Sequence, residues 1–337
     1  MDFTVAICTY NGAERLPEVL DQLLHQVGAE DIEWEVLVVD NNSNDDTAGV
    51  VARYETDWGG DSQLRYAFEA KQGAAYARYR AVQEARSSDL IGFLDDDNIP
   101  ADNWVAEAYR FGCDRPQVGA YGGIIHAKLD EPPPPYFEQI KGYLTIYNRG
   151  AAPFHYKRSD KPRRIPAAPG SVIRKQAWQE AVPPPEELLI PGRDEKTMAA
   201  GEDAEIMFYI QNSKWEVWHN PKMEIWHHIP PNRLEQAYLL RLARGYGLSN
   251  HLTRVARFYS WQQPFLPFLI PIFTLRNSIK LLSYYLKNKN FLANDFAKAC
   301  EFQSQIGQFY SPFLEIYKRL PLRDFMNVKK ANFEQSQ

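Results

Sequence analysis

The first 130 residues alternate between two hydrophobic rhythms, and that alternation limits the fold more than any other feature. Residues 3–8 form a short apolar, β-rich run, and residues 34–39 a second, almost continuously apolar one. Residues 64–68, 90–94 and 118–125 repeat the pattern. Between them lie segments of helical length. The first places Leu16, Val19, Leu20, Leu23, Leu24 and Val27 on one stripe. Residues 45–54, 73–86 and 101–112 are the other three. Apolar strands joined by helices of 10–15 residues predict βαβ units and an α/β fold with a mostly parallel sheet.

The rhythm breaks at 126–169, where a proline run at 132–135 and a basic stretch at 157–164 predict a long surface excursion. Regular structure is expected to resume near Gly170, with a helix over 201–212. A hairpin of 215–218 and 223–226 is expected to turn at Asn220-Pro221. Asn232, with Glu235 three residues on, predicts a capping box opening another helix.

Charge divides the chain again. Residues 1–249 carry 26 Lys and Arg against 38 Asp and Glu, a net −12. Residues 250–337 carry 12 against 5, a net +7. The total of −5 argues against a dedicated nucleic-acid binder. The division suggests an acidic body over 1–249, excursion included, and a basic aromatic extension over 250–337. Cys8, Cys113 and Cys300 form no CxxC pair, so neither a zinc ribbon nor a disulfide framework is expected. A reducing, cytoplasmic setting fits, and the N-terminus lacks the features of a signal peptide.

In an open parallel sheet, ligands bind beyond the C-terminal ends of the strands. Three polar clusters fall there: Thr9-Tyr10-Asn11, Asp40-Asn41-Asn42 and Asp95-Asp96-Asp97. Three adjacent carboxylates repel one another unless a cation intervenes. The two-residue spacing of Asp95 and Asp97 in extended chain points both to one side, suiting a metal–diphosphate site. A solvated turn or helix start would use the same residues. Glu202-Asp203 opens a helix, either as a dipole-favoured start or as a positioned general base. His227 and His228 face opposite sides of an expected strand, so one of them at most reaches a given site. No glycine-rich dinucleotide fingerprint follows the first strand, and no P-loop is present.

In order, the segments CTYNG, VLVVDNNSNDDT, AKQGAAYARYRAV, IGFLDDDN, GEDAEIMFYI and WHHIPPNRL resemble the inverting family 2 glycosyltransferases. The similarity runs over about residues 4–247. It implies a GT-A fold, a Rossmann-like central sheet flanked by helices, here followed by a C-terminal helical extension. The resemblance assigns donor binding to Thr9, Tyr10, Asn11, Asp40, Lys71, Gly73, Arg78, Asp95 and Asp96. It assigns the divalent metal, Mn²⁺ or Mg²⁺, to Asp97 with Asp95 and a histidine, His227 fitting best by its spacing to Ile229-Pro230-Pro231 and His228 being the alternative. Asp203, beside Glu202, matches the family's catalytic base.

The implied activity is metal-dependent inverting transfer from a nucleotide sugar, expected to be UDP-linked, to a saccharide or lipid-linked acceptor. WHHIPPNRL followed by a basic aromatic tail is similar to glycosyltransferases of bacterial exopolysaccharide assembly, those of cyanobacterial hormogonium polysaccharide in particular. A nucleotidyltransferase and a non-catalytic assembly partner with a retained donor site are the alternatives. Residues 258–275 carry no charge. A spanning helix, an interfacial patch and ordinary packing are all open for them, and interfacial contact would place the enzyme at the inner face of the plasma membrane.

Overall fold

The computed structural model describes residues 1–337 except 60–61, 190–191, 193–196, 259–261, 263–264 and 320–337. The chain divides into two compact units, Met1–Arg193 with Gly201–Glu235, and Asp194–Ala200 with Gln236–Gln337. The charge-based boundary at residue 249 therefore falls inside the second unit.

The first unit is built around one sheet. Its opening strands are β1 (Phe3–Thr9), β2 (Trp34–Asp40), β3 (Gln63–Phe68) and β4 (Leu90–Asp95). They lie in the order β3-β2-β1-β4, all parallel. Every residue of β2 is buried, as a strand covered on both faces requires. The helices between them are α1 (Leu16–Leu24), α2 (Thr47–Asp57) and α3 (Ala74–Glu84). Leu16, Val19, Leu20 and Leu23 form the buried stripe of α1. Val27 is not part of it. The helix stops at Leu24, Gly28 turns the chain at a φ of +71°, and Val27 is left exposed.

Beyond β4 the sheet becomes mixed. β5 (Asn98–Pro100) leads to α4 (Trp104–Cys113), and β6 (Val118–Leu129) extends into the expected excursion. The excursion itself holds α5 (Phe137–Ile140) and β7 (Phe154–His155). Then come β8 (Ser171–Arg174), α6 (Lys175–Ala181), α7 (Glu202–Asn212) and β9 (Glu216–Ile229). β8 inserts antiparallel between β4 and β6, while β9 runs parallel to β6 and antiparallel to β5.

The expected hairpin at Asn220-Pro221 is absent. β9 is one strand, and the proline is absorbed by a bulge, with Gly122 opposite His219 but Ile124 opposite Glu224. Gly123 makes room for that bulge, since a Cβ there would lie 1.6 Å from the Met223 carbonyl oxygen. The capping box at Asn232 is absent too. Residues Pro231–Leu234 form a single 3-10 turn, and Glu235 is extended with ψ 138°. An extended Glu235 cannot continue a helix from Asn232, and the next helix begins at Gln236.

The second unit is helical: α8 (Gln236–Leu248), α9 (Asn250–Ala256), α10 (Leu266–Asn288) and α11 (Phe296–Arg319). Among the described residues no helix is long and apolar enough to cross a membrane. Of the uncharged run 258–275, residues 259–261 and 263–264 lie outside the described residues.

Gly123→Ala should cost about 3 kcal/mol through forced overpacking at the bulge. A chemical denaturation midpoint equal to that of the unaltered chain would show that the two strands tolerate the added methyl.

Candidate active site

Strand ends set the site. Main-chain pairing brings Cys8 opposite Asp95 and Thr9 opposite Asp40, so β1, β2 and β4 finish at one rim. The turn after β4 is clamped by Asn98, a fully buried residue. Its Oδ1 accepts the Asp95 N–H at 3.1 Å, and its Nδ2 donates to Asp97 Oδ1 at 2.9 Å.

The three consecutive carboxylates are separated by three arginines from three parts of the chain. Arg78, on α3, approaches Asp95 Oδ1 at 3.5 Å. Arg15, at the start of α1, donates from Nε and Nη2 to the two oxygens of Asp96, at 2.9 and 2.8 Å. Arg233, in the 3-10 turn, donates to Asp97 Oδ2 at 2.9 Å. Asp96 also accepts the Thr9 hydroxyl at 2.6 Å, so it ties β1 to β4 and helps hold the rim together.

The three acids are consequently unequal. Burial pushes Asp95 up to about 6, against the pull of Arg78, with Asp97 and Asp96 adding to the rise. Its side chain keeps 39% of its surface open, so a ligand can reach it. Burial also raises Asp96, opposed by Arg15. Asp97 goes the other way. Burial opposes its ionisation, but His227 and Arg233 outweigh burial and hold it well below the usual carboxylate range.

β5 decides which histidine arrives. Asn98 pairs with His227 across the antiparallel ladder, which brings His227 Nε2 to 3.4 Å from Asp97 Oδ2. Its Nδ1 lies 3.1 Å from the Leu144 carbonyl. A carbonyl can only accept, so Nδ1 carries a hydrogen, and Nε2 lies 3.2 Å from Arg233 Nη1. His228 points away and contacts both oxygens of Asp130, at 2.9 and 3.1 Å.

Among the described residues no three His, Cys, Asp or Glu side chains gather into a complete metal cage. A hard divalent ion used with phosphates does not need one, because it keeps water and substrate oxygens and takes one or two protein carboxylates. Asp97 and His227 fit that partial role. The Arg233 guanidinium, against both of them, shows that the place accepts a cation.

Arg78 joins the strand ends to the second acidic pair. It is buried, its Nε has no hydrogen-bond partner, and its charge is felt by Asp95, Asp203 and Glu202. Both acids sit in the first turn of α7 after Gly201. Glu202 is buried, and burial followed by the neighbouring Asp203 raises its pKa. Asp203 is only half-buried, its Oδ1 near the N–H of Ala204 at 2.7 Å.

The remaining expected residues line the β1 and β2 ends. Asp40 is buried. It accepts the Ser43 N–H at 2.9 Å and the Tyr66 hydroxyl at 2.8 Å, so it terminates its strand through a turn. Tyr10 is exposed, while Asn11 adopts a φ of +51° and accepts the Asn44 N–H at 2.8 Å. Gly73 precedes α3 at a φ of +140°, a conformation that suits glycine. Lys71 is not drawn to the carboxylates; its ammonium pairs with Glu186 at 2.8 Å.

Sequence reasoning missed Arg15, Asn98 and Arg233, and placed Asn41 in a strand-end cluster without giving it a role. Asn41 accepts the Gly73 N–H at 2.7 Å and donates to the carbonyls of Lys71 and Glu69, at 2.8 and 3.3 Å. It fastens the loop before α3 to the end of β2. Trp178 is buried and stacks on Phe93 with ring centroids 6.1 Å apart.

The rim carries polar clusters at the ends of β1, β2 and β4, acidic at the last two, and the Glu202-Asp203 pair sits on a separate helix. The sequence profile of glycosyl transferase family 2 matches residues 4–180, and the chain belongs to that family. It is similar to glycosyltransferase AglE of Haloferax volcanii, 31% identical over 102 residues, which is 30% of this chain and 32% of that protein. It is also similar to YfnE of Bacillus subtilis, described as an uncharacterized glycosyltransferase. There the identity is 34% over 107 residues, 32% of this chain and 26% of that one. The chain thus spans a third or less of the length of these curated relatives.

Two solved structures share the fold. The mannosyltransferase PcManGT from Pyrobaculum calidifontis, in complex with GDP-Man and Mn²⁺, superposes with a TM-score of 0.57 at 17% identity. The match covers 94% of this chain and 88% of that one. S. aureus TarS 1–349 gives 0.50 at 16% identity, covering 92% and 91%.

Asn41→Ala should leave the Gly73 N–H and the Lys71 carbonyl without their partner and cost about 1–3 kcal/mol. Hydrogen exchange should accelerate at Gly73 and its neighbours; unchanged protection there would show that other contacts hold this loop.

Proposed function

We propose that this glycosyltransferase moves a sugar from a nucleotide donor to a saccharide or lipid-linked acceptor, with inversion, in extracellular polysaccharide assembly. UDP is the expected nucleotide. The observation that carries the reading is the placement of Arg78, whose buried guanidinium lies 3.5 Å from Asp95 and within electrostatic reach of Glu202 and Asp203. Donor chemistry and proton removal then occupy one site. The Mn²⁺ and GDP-Man complex of PcManGT supports a nucleotide-sugar donor with a divalent metal.

In this reading, Thr9, Tyr10, Asn11 and Asp40 receive the nucleoside at the ends of β1 and β2. The loop at Lys71–Gly73 closes over it, and Asp95 and Asp96 form the floor beneath ribose and sugar. Asp97 and His227 would hold the divalent ion, which when bound supplies positive charge against the departing diphosphate. Arg78 adds fixed positive charge beside Asp95.

Asp203, the more open member of its pair, takes the proton from the acceptor hydroxyl as that oxygen attacks the anomeric carbon. The bond from that carbon to the diphosphate oxygen breaks, and its electron pair leaves with the nucleoside diphosphate. An α-linked donor yields a β-glycoside. Glu202 is buried, so an acceptor hydroxyl has readier access to Asp203. A lipid-linked acceptor would bring the enzyme to the inner face of the plasma membrane, with the C-terminal extension in contact with the lipid.

Asp203→Asn should lower turnover by about 10²–10⁴-fold while donor affinity stays close to that of the unaltered enzyme. Turnover within a few-fold of normal would remove Asp203 as the base. Asp97→Ala should weaken donor binding only when Mn²⁺ is present; an unchanged calorimetric affinity with Mn²⁺ would remove Asp97 from the metal site.

A further inference from the structure

The helical unit contains a pocket with no part in the chemistry above. Arg254 from α9, Arg257 just after it, and Arg276 and Lys280 from α10 line a cavity of about 270 Å³. Its other lining residues are neutral amides, and no carboxylate lines it. Arg254 donates to Asn250 Oδ1 at 2.8 Å and lies 4.6 Å from the Phe273 ring, yet its Nη1 is buried without a hydrogen-bond partner. Burial, and then Arg276 and Arg257, lower its pKa. Concentrated like charge around an unsatisfied guanidinium hydrogen is what an anion with several acceptor oxygens would relieve.

The same helix carries an apolar row beside the pocket. Phe268, Ile272, Leu275, Ile279, Leu282 and Leu286 recur at alternating spacings of four and three, and each is 59–76% exposed. At about 100° per residue they share an arc of about 80°. Arg276, Lys280 and Lys287 fall about 80–120° round from its centre. Asn277, farther round, is buried and donates to the Gln308 carbonyl of α11 at 2.7 Å. Around α10, therefore, an exposed apolar row gives way to a basic row and then to the packed face.

Charge decides what covers the apolar row. α10 contains no acidic residue. Two copies laid face to face would set Arg276, Lys280 and Lys287 against their equivalents with no carboxylate on either helix to separate them. From Gln236 to Arg319 there are 11 Lys and Arg against 3 Asp and Glu, a net +8. An anionic lipid surface complements both rows, with acyl chains under the apolar residues and headgroup phosphates against the basic ones.

We infer that α10 lies in an anionic phospholipid surface and that the Arg254–Arg257–Arg276–Lys280 pocket receives a headgroup phosphate. This rests on the reading that the extension meets the membrane and adds the site through which it does so.

The test is flotation of the full chain with vesicles of phosphatidylcholine alone and of equimolar phosphatidylcholine and phosphatidylglycerol. The protein should float only with the anionic vesicles. Arg276→Gln with Lys280→Gln should weaken that partitioning about thirtyfold, and Arg254→Gln alone should weaken it as well. Ile272→Ser with Ile279→Ser should weaken it without altering the preference for anionic lipid. Circular dichroism checks that each variant is folded.

Flotation unchanged by the basic variants would overturn the pocket while leaving membrane contact standing. No flotation of the unaltered protein would overturn both. Inorganic phosphate binding lost in the basic variants, without flotation, would assign the pocket to a soluble phosphate and overturn the inference. Light scattering that shows a dimer dissolved by the Ile272 and Ile279 changes, again without flotation, would assign the apolar row to a second copy. Nucleotide-sugar affinity should be equal in the basic variants and the unaltered protein, and its loss would place the pocket in the donor chemistry instead.

Discussion

Three carboxylates on consecutive residues cannot share a strand end unless something positive stands between them. Asp95, Asp96 and Asp97 meet that constraint with Arg78, Arg15 and Arg233, each from a different element. The rest of the catalytic unit can be read from this arrangement. Arg15 is fixed because α1 begins beside the end of β1. Arg78 is fixed because α3 packs on the sheet, where its guanidinium lies 5.4 Å from the Phe93 ring. Arg233 is fixed by a proline-led turn that follows β9 directly.

The three pairings also divide the labour. Asp96, held by two donors of Arg15 and by Thr9, is structural support for the rim. Asp95 faces an arginine at a looser 3.5 Å and keeps an open surface. Asp97 is held firmly ionised, with His227 and Arg233 beside it. Adjacent in sequence, they have been given different environments, and an acid can be read as support, ligand or donor contact only through its partners.

Much of this was legible in the residues. β1, β2 and β4 announce themselves because a strand buried on both faces is an unbroken apolar run, and α1 because its stripe repeats at helical spacing. The polar clusters stood out because acids and amides at strand ends interrupt those runs. The cations did not stand out. Arg15 and Arg233 are single basic residues in polar stretches, and nothing in their neighbours distinguishes them from solvated surface. β5 has only three residues, and Pro221 inside β9 suggested a turn because the bulge that absorbs it depends on Gly123, about 100 residues away. Long-range pairing placed His227 rather than His228 at Asp97, the histidine favoured by its spacing to Ile229-Pro230-Pro231.

The account's central claim is a single displacement with proton removal by a carboxylate on the face opposite the departing diphosphate. Water can stand in for the acceptor, so the claim can be tested before the acceptor is known. Slow donor hydrolysis should be followed by proton NMR at early times, before the released sugar mutarotates. An α-linked nucleotide sugar should release the β anomer first. Release of the α anomer first would contradict inversion and the assignment of Asp203 with it.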